Sequence, residues 1–208
     1  MEKKKIDEEN IDCSLVKSAD GRYISPRAGA FFLHFAGNRR DGVLFTLSKQ
    51  GHAIFFRYRK NPFLPFPQPA VAEGNSAVCG HVRYKAIKKD IDLDYTVTGN
   101  GVKQIIVVKK KRRKYRFSFC LQTTKGLAVS HDREACTVII TDARNGEPVF
   151  TVPAPTVYGA AQGFSDAVAY DLKLDKDGYL FSVEVDPRLI HDEKRVLPVY
   201  ISFFVLVM

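Results

Sequence analysis

Seven of the eight residues from 109 to 116 are cationic: Lys109, Lys110, Lys111, Arg112, Arg113, Lys114 and Arg116, interrupted only by Tyr115. Ammonium and guanidinium groups this close repel one another unless they face anions. Phosphate-bearing polymers are the anions such runs hold, by counterion release that is indifferent to sequence. Tyr115 and Phe117 would add rings for stacking. The same residues also have a reading without a ligand, because charges at an exposed hairpin tip keep a sheet soluble and discourage edge pairing. An anionic polymer (nucleic acid, wall polymer or lipid headgroup) and a solvated tip are therefore the two alternatives for this run.

Asp90, Asp92 and Asp94 alternate with Ile91 and Leu93. Their i, i+2, i+4 spacing opens a calcium-binding loop, but that loop next requires Gly, and here Tyr95 follows. In a strand the three carboxylates line one face, where they repel until a cation, a nearby lysine (Lys85, Lys88, Lys89 or Lys103) or water offsets them. The expectation is a solvated acidic face, with a divalent metal at Asp90, Asp92 and Asp94 as the alternative. Asp175-Lys-Asp-Gly178 has the composition of a hairpin turn rather than of a metal loop.

The five histidines, His34, His52, His81, His131 and His191, are at least eighteen residues apart, so no short ligand pair exists. Gly-x-Ser-x-Gly, the phosphate-binding loop and the dinucleotide glycine pattern are all missing. Cys13, Cys79, Cys120 and Cys136 are too far apart for a zinc half-site, and four in 208 residues is sparse for a disulfide scaffold. Cys120 and Cys136 read as small apolar fillers. These features predict a protein without catalysis and call for no cofactor.

The elements that must carry these residues read as β throughout. In Tyr115–Gln122, Tyr115, Phe117, Phe119 and Leu121 share one face, and Asp90–Val97 places Ile91, Leu93, Tyr95 and Val97 together in the same way. Thr98-Gly-Asn-Gly101, Asn145-Gly146 and Asp175-Lys-Asp-Gly178 mark hairpins, since Gly, Asn and Asp tolerate positive φ. Further strands are expected near 22–25, 31–36, 43–47, 53–58, 78–85, 102–108, 137–142, 147–152, 169–174 and 179–185. Pro187–Lys194 is expected to form a helical turn capped by Asp186. The fold class that follows is all-β, an antiparallel sandwich in one or two β units. Residues 1–14 read as disordered or weakly docked, 15–60 as a small β unit, 61–76 as a Pro-rich connector and 77–208 as the larger sandwich-like unit. The alternative to a connector is a long loop inside one sandwich.

Composition agrees. The chain is 45% apolar and 26% charged, with fifteen Phe, nine Tyr and no Trp, which suffices for a core of domain size. Of the net +9, seven charges sit in the run 109–116 and two remain for everything else. The region 166–194 leans acidic, with eight acids against four Lys and Arg, so the two regions should attract. No stretch reaches the ~18 apolar residues of a membrane-spanning helix. The mixed-charge start lacks the apolar core of a signal peptide.

The second half carries a resemblance. The segments Val82–Val107 with its Asp-Ile-Asp-Leu-Asp-Tyr-Thr-Val-Thr-Gly-Asn-Gly-Val core, Tyr115–Leu121, Gly146–Pro155, Ser165–Val168 and Arg195–Ile201 resemble a recurring β-rich module. It lies upstream of RHS/YD-repeat regions in wall-associated and secreted bacterial surface proteins, including polymorphic toxins. The resemblance implies a non-catalytic structural or presentation module, located outside the cell or at its surface, with the downstream modules of a longer parent protein as partners. It assigns no catalytic residue. Two departures stand out. Relatives have Lys-Glu where this chain has Lys103-Gln104, and they continue past Pro-Val into the next module where this chain runs into Val199–Met208. The apolar tail Val196–Met208 is either a final buried strand or the scar of a truncated or frame-shifted gene.

Overall fold

The computed structural model describes residues 16–17, 23–28, 31–35, 42–58, 69–71, 80–159, 162–165, 167–191 and 196–208. The amino-terminal segment 1–14, residues 61–68 and 72–76 of the Pro-rich stretch, Cys13, Cys79 and residues 192–195 lie outside the described residues.

The first half supplies β1 (Val16–Lys17), β2 (Tyr23–Ala28), β3 (Phe31–Phe35), β4 (Val43–Lys49), β5 (His52–Tyr58), β6 (Pro69–Val71), β7 (His81–Lys88), β8 (Ile91–Thr98) and β9 (Gly101–Val108). The second half supplies β10 (Tyr115–Thr123), β11 (Leu127–Asp132), β12 (Thr137–Asp142), β13 (Pro148–Val152) and β14 (Thr156–Gly159). It continues with β15 (Gln162–Ser165), β16 (Val168–Asp175), β17 (Gly178–Val185), the short helix α1 (Pro187–His191) and β18 (Val199–Val207).

Among the described residues two antiparallel sheets result. One has eight strands in the order β1-β2-β3-β4-β5-β10-β17-β16. The other has ten, in the order β11-β12-β13-β18-β9-β8-β7-β6, with β14 beside β18 and β15 beside β14. The protein is thus all-β and sandwich-like, as its alternating segments predict. The ladder between β5 and β10 runs from Tyr58↔Phe119 to Ile54↔Thr123, so strands from before and after the Pro-rich stretch share one sheet.

The alternation that identifies each strand also builds the core. Tyr115, Phe117, Phe119 and Leu121 of β10 are buried, and so are Ile91, Leu93, Tyr95 and Val97 of β8. The apolar tail becomes β18, paired with β9 from Val199↔Val108 to Leu206↔Gly101 and burying Ile201, Phe203 and Val205. Phe203 meets four rings of the opposite sheet: Phe181 at 5.6 Å, Tyr170 at 6.0 Å, Phe119 at 6.4 Å and Phe56 at 6.5 Å between centroids. Tyr95 likewise faces Phe35 at 5.5 Å and Phe45 at 5.6 Å. Edge-to-face and tilted packing of this kind suits the quadrupoles of the rings.

Polar ties cross the same interface. The Tyr84 hydroxyl donates to the Leu44 carbonyl at 2.9 Å, and the Tyr170 hydroxyl donates to the Pro153 carbonyl at 2.8 Å. His52 of β5 lies 3.3 Å from Asp142 of β12, whose carboxyl is held far below the usual range, chiefly by Arg144.

Candidate anion-binding cleft

The basic run does not cap a hairpin. β9 pairs with β8 and β18, whereas β10 pairs with β5 and β17. Residues 109–114 therefore cross from one sheet to the other as an arch, and Arg116 already belongs to β10. The physical reason lies in composition: Lys109–Lys114 contains no Gly, Asn or Asp to make a tight reversal, while six residues comfortably span the ~10 Å between packed sheets.

The arch has a defined shape. The Arg112 amide donates to the Tyr115 hydroxyl oxygen at 2.7 Å. His191, the last residue of α1, donates from Nε2 to the Arg112 carbonyl at 2.9 Å and stands 3.2 Å from the Tyr115 hydroxyl. Its ring meets the Tyr115 ring edge-on at 5.8 Å. The predicted cap positions this helix: the Arg188 amide donates to Asp186 Oδ1 at 2.9 Å.

The cations of the run divide into two sets. Lys109 Nζ lies 2.6 Å from Asp92, and Lys110 Nζ lies 3.7 Å from Asp90. Arg116 bridges Asp171 at 2.5 Å and Glu184 at 3.2 Å, which realises the expected attraction between the basic run and the acidic region 166–194. Asp94 takes a two-pronged contact from Arg83, at 2.6 and 2.5 Å, with His81 at 3.9 Å.

The acidic row thus differs from the solvated face expected of it. Asp92 is 4% exposed and Asp94 5%, and Asp90, Asp92 and Asp94 have separate cationic partners. Burial by itself would raise the Asp92 carboxyl, but the Ala86 amide at 2.8 Å, Lys109 and Arg83 together hold it below the ordinary value. Among the described residues no group of three or more His, Cys, Asp or Glu is arranged to hold a metal. Of the lysines expected to offset the row, Lys103 lies over Phe204 at 5.6 Å and Lys88 over Tyr58 at 5.9 Å.

Sequence reading placed Lys88 beside the acidic row and missed its role beside the basic run. Lys88 ends β7, and with Arg112, Arg113, Lys114, Arg116 and Phe117 it lines an open cleft of about 410 Å³. None of the described residues brings a carboxylate to the lining of the cleft. Arg116 is already matched, whereas Lys88, Arg112, Arg113 and Lys114 have no carboxylate partner among the described residues. Desolvation and the Arg112 guanidinium hold the Lys88 ammonium below its ordinary value. Burial pushes the nearby Tyr58 hydroxyl up to about 12, with Arg112 pulling the other way. Lys111 belongs to the run but does not line the cleft.

No family model matches the chain, and no curated protein matches it. The chemistry must come from the residues themselves. Four cations without a carboxylate partner among the described residues, beside the buried ring of Phe117, make a positive concavity with one low-dielectric wall, where an anion gains more than at a flat wet surface. The guanidinium forks suit oxygens in pairs, as on phosphate or carboxylate.

Proposed function

We propose that the chain is a non-catalytic β-sandwich module that holds an anionic polymer at the basic end of the sandwich. The observation that carries this reading is the surplus of charge at one place: Lys88, Arg112, Arg113 and Lys114 line a cleft to which no described residue contributes a carboxylate. Like charges so placed cost free energy in the folded state, and a polyanion offsets that cost while releasing its counterions. A solvated hairpin tip, the rival reading, loses its ground because the run is an arch between sheets and three of its cations are engaged with carboxylates.

A second proposal concerns context. The resemblance supports a place in an RHS/YD-repeat-associated surface protein, outside the cell or at its surface, where the sandwich presents or supports the downstream modules. Its quoted segments touch β7 to β10, β13, the end of β15, the start of β16 and β18, and β7 to β10, β13, β16 and β18 share one core cluster, as a structural module needs.

The test is a salt titration of binding to duplex DNA and to a poly(glycerol phosphate) chain. If about four cations engage, the logarithm of the affinity for DNA should fall with the logarithm of salt concentration at a slope near −3 to −4. The slope should shrink by about one for each of Arg112, Arg113 and Lys114 converted to Gln. Negligible binding to both polymers at low salt would overturn the reading.

A further inference from the structure

The cleft distinguishes among cations that the sequence presents as equivalent. Lys109, Lys110 and Arg116 are engaged with Asp92, Asp90 and the Asp171–Glu184 pair, so an incoming anion would have to displace a carboxylate to reach them. The lining residues with no carboxylate partner among the described residues come from two separate pieces of chain, the end of β7 and the arch. Their convergence is a product of the fold rather than of the run.

We infer that this cleft is a site for two phosphate groups carried close together, with Lys88, Arg112, Arg113 and Lys114 as their ligands. The inference rests on the anion-binding reading and adds the ligand class and a residue outside the basic run. Four formal positive charges facing about 410 Å³ are poorly offset by one carboxylate or one phosphodiester, each of charge about −1. Two adjacent phosphates, as in pyrophosphate or in consecutive units of a poly-phosphate or phosphodiester chain, supply charge and oxygens enough for two guanidinium forks and two ammoniums. Phe117 provides the apolar floor that strengthens these contacts. The Lys88 ammonium sits over the Tyr58 ring, so that among the described residues it is supported by a π face and not by a carboxylate.

Calorimetry on the full chain tests this with inorganic pyrophosphate and, separately, with poly(glycerol phosphate). Lys88→Met keeps the apolar stem over Tyr58 and removes the charge. Lys111→Gln removes the same charge from the run but outside the cleft. Pyrophosphate should bind the wild-type chain. Lys88→Met and Arg112→Gln should each weaken it about tenfold, the scale of one charge-assisted hydrogen bond, and Lys111→Gln should change it less than about twofold. Thermal unfolding of each variant alongside wild type confirms that the fold persists.

No binding of pyrophosphate, or equal losses for Lys88→Met and Lys111→Gln, would overturn the inference. If the polymer still binds with a steep salt slope in that event, the broader reading survives without the cleft. If pyrophosphate binds as described and the polymer does not, the site serves free pyrophosphate-like anions and only the polymer reading falls.

Discussion

Asp92 states the energetic problem of the basic end in one residue. A carboxylate only 4% exposed is costly unless paired, and it is paired twice, by the Ala86 amide and by Lys109. Removing Lys109 as Lys109→Met leaves one partner and a buried negative charge. Lys109 itself is 46% exposed, so solvent screening brings the expected loss below the ~3–5 kcal/mol of a wholly buried pair, to roughly 1–3 kcal/mol at pH 7. The sign with pH follows from the lowered Asp92 value. Its stabilisation is complete above the unfolded carboxylate value of about 3.9 and disappears as pH falls through the still lower folded value. Denaturant unfolding of wild type and Lys109→Met should therefore differ at pH 7 and at pH 5, with the difference shrinking as pH falls below the unfolded value. A gap that does not narrow as the pH is lowered would assign the effect to the lysine stem and not to its charge.

At the scale of elements, the turn between β8 and β9 makes a sharp prediction. Gly101 has φ +157°, and a Cβ there would stand 2.1 Å from the Val205 carbonyl oxygen and 3.0 Å from the Leu206 Cα. Gly101→Ala must force β9 away from β18. Gly146 has φ +75° and open space around it, so Gly146→Ala bears only the left-handed backbone penalty of about 1–2 kcal/mol. Thermal melts should show at least twice the loss for Gly101→Ala; equal losses would mean that the β9–β18 contact yields easily. Thr-Gly-Asn-Gly marked this hairpin in the sequence because turn chemistry is local. The inward faces of β8 and β10 were legible for a similar reason, since period-2 alternation reports which side is buried.

What alternation leaves unstated is what a strand pairs with. Asp94 meets Arg83 only through the register between β7 and β8, and Asp92 meets Lys109 only because the arch leaves β9 beside it. The acidic row therefore read as solvated. The run 109–114 read as a hairpin tip because its flanking strands are consecutive, although its lack of Gly, Asn and Asp was a signal against that. Lys88 stood out only as a possible partner of the acidic row; its place in the cleft gave no signal, because it depends on two sheets meeting.

For the molecule as a whole, the question is whether the strands before the Pro-rich stretch fold apart from the rest. A division at 61–76 would let residues 15–60 unfold separately, with two transitions on heating. Two contacts argue for one cooperative unit instead. β5 pairs with β10 across that division, and Phe56 of β5 meets Phe203 of β18 and Phe181 of β17 at 6.5 and 5.6 Å. Phe203 is 1% exposed and joins rings from β5, β10, β16 and β17 to the middle of the ten-stranded sheet. Phe203→Ala should cost about 3–5 kcal/mol, which for a domain of this size lowers the midpoint by roughly 6–20 °C. If the core is shared, the whole transition moves by that amount, and near-ultraviolet and far-ultraviolet circular dichroism continue to report one midpoint. If instead a portion of the far-ultraviolet signal keeps its original midpoint while the rest shifts, the amino-terminal strands hold a core of their own, and the ladder between β5 and β10 is a docking contact between two folded units.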